Sequence, residues 1–169
     1  MDKLIASFQV DHTRIGYGIF VSRRDVVNGA YITTFDVRMK RPNIEPAIHP
    51  NAMHTIEHII ATYLRNSKFK DNVVYWGPMG CLTGFYFITN TAHEIMPQEI
   101  EKLLKAAYKH MATYRGDVPG ATAVNCGNYL LHDLPMAKYE ARQFLNQKWT
   151  FDYPKAKRIK AGDRTFFDA

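Results

Sequence analysis

Residues His54-Thr55-Ile56-Glu57-His58 form an H-x-x-E-H box inside an apolar segment running from Ala52 to Ala61. On a helix, His54 and His58 stack one turn apart on a single face, so both imidazoles can grip one metal ion. Glu57 projects beside them as an acid/base carboxylate. The plainer alternative is a solvated polar stripe on an amphipathic helix. Two histidines do not close a catalytic centre, which usually offers three protein ligands and leaves a position for water or substrate. Cys126 is the candidate third ligand, because a thiolate in the glycine-flanked loop Asn125-Cys126-Gly127 can approach a helix face. Its alternative is a small buried hydrophobe. Cys81, beside Gly80, is the remaining thiol.

The box reverses the usual zincin order and matches the inverzincin metallopeptidase pattern, which points strongly to metal chemistry and only weakly to peptide hydrolysis. At 169 residues with 46% hydrophobic content, the chain suits one well-buried core and is too short for two ordinary domains. No stretch approaches the roughly 20 apolar residues of a membrane span, and Met1 to Phe8 lacks the long apolar core of a signal peptide. A cytoplasmic protein is therefore expected, with Cys81 and Cys126 better suited there to metal or catalytic work than to a disulfide. The formal net charge of +6 partly reflects Lys155, Lys157, Arg158, Lys160 and Arg164 near the C-terminus. Elsewhere basic and acidic residues are interspersed, so we read residues 149–169 as a solvated or partner-covering basic extension, with nucleic-acid binding the weaker option.

The elements that must position these groups are legible in outline. Ile15 to Val21 reads as a strand, with Arg23-Arg24-Asp25 and Asn28-Gly29 as a turn. Ala30 to Met39 alternates, placing Tyr31, Thr33, Phe35, Val37 and Met39 on one face and Ile32, Thr34, Asp36 and Arg38 on the other. Arg38 thus points where only a site or solvent would accept a charge. After a proline-spaced loop, Asn51 is the expected N-cap of a helix from Ala52 to about Arg65. Val73 to Trp76 and Cys81 to Ile88 read as strands separated by an irregular Gly77-Pro78-Met79-Gly80 turn. Helices are expected over Pro97–Tyr114, with Ile100, Leu103, Leu104, Ala107 and Met111 inward, and from about Pro135 to Lys148, with Ala137, Ala141, Phe144 and Leu145 inward. The fold class is α+β: one domain over residues 1–148, mainly an antiparallel sheet packed against three to four helices.

With these segments read, the chain resembles the S-ribosylhomocysteine lyase family, LuxS, the autoinducer-2 synthases. Ser7-Phe8-Gln9-Val10-Asp11-His12-Thr13 is similar to the family's S-F-x-x-D-H-T signature, and Phe35 to Asn43 to its F-D-[IV]-R-x-x-x-P-N strand. His54 to His58 is similar to its metal box, Pro78 to Tyr86 to its P-M-G-C-x-T-G-[FY]-Y block, and Cys126-Gly127 to its metal loop. The resemblance runs from Ser7 to about Leu145. It implies His54, His58 and Cys126 as metal ligands, for one ferrous ion per subunit that zinc or cobalt can replace. Glu57 and Cys81 become the two acid/base groups. Ser7, His12 and Arg38 would contact the substrate from the neighbouring subunit of a homodimer, and no membrane partner is implied.

The implied reaction needs these residue types. Moving a sugar carbonyl along its chain requires taking a proton from one carbon and returning it to the next, while a Lewis-acid metal holds the developing charge. Once the carbonyl has migrated, homocysteine leaves by β-elimination, and the other product is 4,5-dihydroxy-2,3-pentanedione. Two departures stand out: Tyr75 where many members carry an Asp, and Leu82 where Gln or Arg is more usual. Two rival readings remain. One is an inverzincin metallopeptidase, which would expect a downstream glutamate as third ligand and a much larger chain, with Glu140 the only distant candidate on a helix; the other is a non-catalytic metal-binding regulatory module.

Overall fold

The structure, a computed structural model, describes residues 10–154. Ser7 and residues 155–169 of the expected basic extension lie outside them. Four strands, β1 (Gly18–Val27), β2 (Ala30–Arg38), β3 (Val73–Pro78) and β4 (Gly84–Thr91), form one sheet in the order β1-β2-β4-β3, every neighbouring pair antiparallel. Helices α1 (Pro50–Arg65), α2 (Pro97–Thr113) and α3 (Leu134–Leu145) complete the expected α+β arrangement.

Helix α1 begins two residues earlier than the sequence suggests. Pro50 occupies the first turn, where its missing N–H costs nothing, and His49 rather than Asn51 is the N-cap, its side chain accepting the Asn51 N–H at 3.4 Å. Met53, Ile56, Ile59, Ile60 and Leu64 then recur at helical spacing and pack with Phe35, Val37, Phe85 and Phe87 of the sheet. Ile100, Leu104 and Met111 of α2 and Ala137, Ala141 and Phe144 of α3 join the same core.

The strands depart from expectation in two places. β1 does not end at Arg23-Arg24-Asp25; its register against β2 shifts between Val21 and Arg23, a bulge that lets pairing continue to Val27. The reversal falls on Asn28-Gly29, whose φ values of 50° and 81° are the paired positive angles of a two-residue hairpin. Gly77 and Pro78 are not irregular but pair with Tyr86 and Phe85. Pro78 is tolerated because β3 is an edge strand. Cys81, expected to open the next strand, instead sits in the turn before β4, where the Leu82 N–H bonds the Met79 carbonyl at 2.9 Å.

The sheet face opposite the helices is also covered. Asp36 and Arg38 are only 2% and 3% exposed and form a two-point ion pair, Arg38 Nε reaching Asp36 Oδ1 at 3.1 Å. Residues of the expected extension pack here: Thr150 bridges to Gly18, the Tyr153 hydroxyl donates to Asp36 Oδ2 at 2.9 Å, and its ring stacks on Phe20 at 4.7 Å. Trp149 joins the core.

Gly84 sits where β4 passes β2 so closely that a Cβ would lie 2.3 Å from the Val37 carbonyl oxygen. Gly84→Ala should therefore lower the unfolding free energy by about 1–3 kcal/mol in urea titration. Gly16→Ala, where a Cβ meets nothing within 4 Å among the described residues, should leave the midpoint close to its original value.

Candidate metal and substrate site

The rotation of α1 that buries Ile56 and Ile60 turns His54 and His58 toward the single connection between α2 and α3, residues 114–133, which carries Pro119, Cys126, Leu131 and His132. The ligand atoms of His54, His58, Cys126 and His132 all lie within 4.8 Å of one another. The structure thus brings together the three metal-ligand candidates read from the sequence and adds His132, which that reading passed over. The only hint was its place between the Cys126 loop and the Asp133 N-cap of α3.

Hydrogen bonds fix which nitrogen of each ring faces the cluster. His54 Nδ1 lies 2.8 Å from the Leu131 carbonyl and His58 Nδ1 lies 2.7 Å from the Pro119 carbonyl. Carbonyls only accept, so both Nδ1 atoms carry protons and both Nε2 lone pairs are free for a metal. Cys126 Sγ stands 3.4 Å from His54 Nε2. Its loop is held by Thr122, whose carbonyl accepts from the Cys126 N–H at 3.0 Å and whose hydroxyl accepts from the Asn125 N–H at 3.3 Å. Gly120, at φ 70°, makes the turn that aims the Pro119 carbonyl at His58. Burial, reinforced by the neighbouring imidazoles of His54 and His58, pushes His132 down to about 4, leaving it neutral at pH 7. Two imidazole nitrogens and a thiolate suit a borderline divalent ion such as Fe(2+), Co(2+) or Zn(2+) better than Mg(2+) or Ca(2+), so the donor set fits a transition metal.

Glu57 lines a cavity of about 430 Å3 together with His58, Arg65, Tyr75, Pro119 and Asn125. A carboxylate there is in place to exchange protons with a molecule lying against His58. Tyr75, the first departure from the family pattern, faces the same cavity, and its hydroxyl lies over Gly77. Leu82, the second, adopts φ 58° in the Cys81 turn.

Cys81 and Arg38 form a second constellation. Arg38 Nη1 donates to Thr83 Oγ1 at 2.6 Å and lies 3.7 Å from Cys81 Sγ, which is itself 3.0 Å from Thr83 Oγ1. Burial raises the Cys81 thiol, but the Thr83 hydrogen bonds and the Arg38 charge outweigh it, leaving the thiol below its ordinary value. His12 lines a small cleft with Asp36, Arg38, Tyr86 and Tyr153, and its Nδ1 bonds the Val10 carbonyl at 2.8 Å. This cleft and the Glu57 cavity have no lining residue in common. Glu140, the ligand a peptidase would need, pairs with Lys40 at 2.6 Å and is not in the donor cluster. Among the described residues, no helix is long and apolar enough to cross a membrane.

Comparison with known proteins agrees with this chemistry. The family model described as S-ribosylhomocysteinase (LuxS) matches residues 5–153. The S-ribosylhomocysteine lyase of Phocaeicola vulgatus is 51% identical over 146 residues, which cover 86% of this chain and 89% of that protein. The lyase of Porphyromonas gingivalis strain W83 is 49% identical over 144 residues, covering 85% and 89%. That of Clostridium beijerinckii is 51% identical over 143 residues, covering 84% and 89%.

The Cys81 environment makes a measurable claim. Thr83→Val removes the hydroxyl hydrogen bond that favours the thiolate while keeping the backbone one, so the folded-state pKa of Cys81 should rise. The midpoint of iodoacetamide alkylation at Cys81, followed by peptide mass spectrometry, should move to higher pH. The rate at pH 7 should fall roughly tenfold for each unit of rise.

Proposed function

Because the chain belongs to the S-ribosylhomocysteinase (LuxS) family, we propose that it is a metal-dependent carbon–sulfur lyase that cleaves S-ribosylhomocysteine to homocysteine and 4,5-dihydroxy-2,3-pentanedione, the autoinducer-2 precursor. The observation that carries this reading is the convergence of His54, His58 and Cys126 on one point, with Glu57 on the same helix beside them. His54, His58 and Cys126 hold the metal in this reading, one Fe(2+) per subunit, with zinc or cobalt able to replace it. When bound, the metal supplies Lewis-acid stabilisation of negative charge developing on the sugar oxygens.

The chain's own residues then do the proton work. Glu57 takes and returns carbon-bound protons from the metal side. Cys81, its thiolate favoured by Thr83 and Arg38, serves the other face and assists the elimination in which the proton beside the carbonyl departs and the C–S bond breaks. Ser7, His12 and Arg38 bind the substrate, Arg38 through a charge-assisted contact to the homocysteine carboxylate. The enzyme works in the cytoplasm, where the free thiols Cys81 and Cys126 stay reduced.

We further propose a homodimer in which each site is shared. What supports this reading is that Val37 and Met39 face the α1 side of the sheet and Arg38 the other, away from its own chain's metal donors. Cys81, hydrogen-bonded into the Arg38 group, travels with it.

Three sets of measurements test these assignments. The first is direct: iron-loaded protein mixed with S-ribosylhomocysteine should release free thiol, and absence of release from fully loaded protein would remove the activity assignment. In the second, His54→Ala, His58→Ala and Cys126→Ala should each lose bound metal and activity together. Glu57→Gln and Cys81→Ala should keep metal while turnover falls by about 10²–10⁴. Full metal occupancy in Cys126→Ala would refute its role as a ligand. The third is complementation: Arg38→Ala and Glu57→Gln proteins should be inactive alone and regain activity when their subunits exchange, since a mixed dimer contains one site without either lesion. No recovery despite demonstrated mixed dimers would show that each chain builds its site alone.

A further inference from the structure

His132 has one ring nitrogen fully committed and the other with nothing to do. Thr55 Oγ1 donates its single proton to the Asn51 carbonyl at 2.8 Å and accepts the Asp133 N–H at 2.9 Å. Its contact with His132 Nδ1 at 3.2 Å can therefore only be one in which the imidazole donates. The proton of neutral His132 is thereby fixed on Nδ1, and Nε2 carries a bare lone pair. That atom is buried and has no hydrogen-bond partner among the described residues, an arrangement native proteins rarely leave without a purpose. The His132 ring belongs to the group whose ligand atoms, with those of His54, His58 and Cys126, all lie within 4.8 Å of one another.

Two uses compete for such a lone pair, ligation of the metal and acceptance of a hydrogen bond. The rings decide between them. His132 stacks on His54 with centroids 4.3 Å apart and planes 15° from parallel. An imidazole lone pair lies in the plane of its ring, so two face-to-face rings direct their lone pairs side by side and cannot both bind one ion in plane. His54 and His58, at 89°, can.

We propose that His132 is a substrate-binding residue whose Nε2 accepts a hydrogen bond from a sugar hydroxyl adjacent to the oxygen that approaches the His54, His58 and Cys126 donors. This rests on the lyase reading and deepens it: the three-donor face selects an oxygen, and His132 selects a neighbouring hydroxyl, so a vicinal diol is what the pocket recognises. The stack on His54 and the Thr55 bond hold the acceptor still before substrate arrives, so little ordering remains when it binds.

The test uses a turnover-arrested background, metal-loaded Glu57→Gln protein, with S-ribosylhomocysteine affinity measured by calorimetry and metal content by atomic absorption. His132→Phe keeps a ring against His54 and removes the acceptor. It should retain one metal per chain and weaken binding roughly 10- to 100-fold, while His132→Gln, which restores a carbonyl acceptor, should recover part of the loss. Deoxy analogues of the substrate locate the partner: for the analogue lacking the contacted hydroxyl, the background protein and its His132→Phe derivative should bind equally. Unchanged affinity in both variants overturns the proposal, and loss of metal in both makes His132 a ligand instead. Background protein that holds metal but does not bind S-ribosylhomocysteine overturns the lyase reading itself, which separates the two failures.

Discussion

The rotation of α1 about its axis is the constraint on which both core and site depend. Met53, Ile56, Ile59 and Ile60 are 2% exposed or less, and burying each such side chain is worth roughly 1.5–3 kcal/mol. A hydrogen bond from a histidine ring to a carbonyl contributes about 1 kcal/mol net. The apolar face therefore sets the helix angle, and the metal-facing stripe accepts what is left. With 3.6 residues per turn, fixing Ile56 and Ile60 against the sheet leaves His54 and His58 stacked on a flank facing the Cys126 loop and the start of α3. A substitution that rolled the helix in its seat would move both histidines at once.

Backbone carbonyls, rather than charged side chains, give that stripe its chemistry. Pro119 and Leu131 each receive an Nδ1 proton from one histidine, and the Thr55 hydroxyl does the same for His132. Each bond leaves an Nε2 lone pair free, so His54 and His58 are held in their ligating tautomers, and His132 as an acceptor, by the way the connection between α2 and α3 closes over one helix. Thr55 ties this to the fold, because its hydroxyl also bonds α1 through Asn51 and the entry to α3 through Asp133.

This division explains what the sequence could reveal. The H-x-x-E-H box, the three helices and the β2 alternation are short-range patterns and read directly, as did Cys126 in its glycine-flanked loop. His132 was missed because nothing local distinguishes it from a loop histidine; its meaning comes from Thr55 and His54, which lie far away in the chain. The Cys81 turn was misread for a related reason. Gly77-Pro78 looks like a breaker until β3 is known to be an edge strand, whose outward side needs no N–H. The bulge after Val21 likewise left a charged triplet that resembled a turn, although Arg23 and Asp25 simply pair across the strand surface.

The Asp36–Arg38 pair links the second half of the chemistry to the sheet. Both charges are almost fully buried, and such a pair repays its desolvation only when further groups satisfy it. Tyr153 bonds Asp36, and Thr83 and Cys81 approach Arg38. One guanidinium thus closes the ion pair with Asp36 and favours the thiolate of Cys81, so it cannot move toward a ligand without changing that thiol. In the proposed shared site this coupling has a use. The residue that grips the substrate carboxylate also tunes the proton carrier, and the two arrive together, Arg38 on the strand face turned away from its own chain's α1 and Cys81 in the turn beside it.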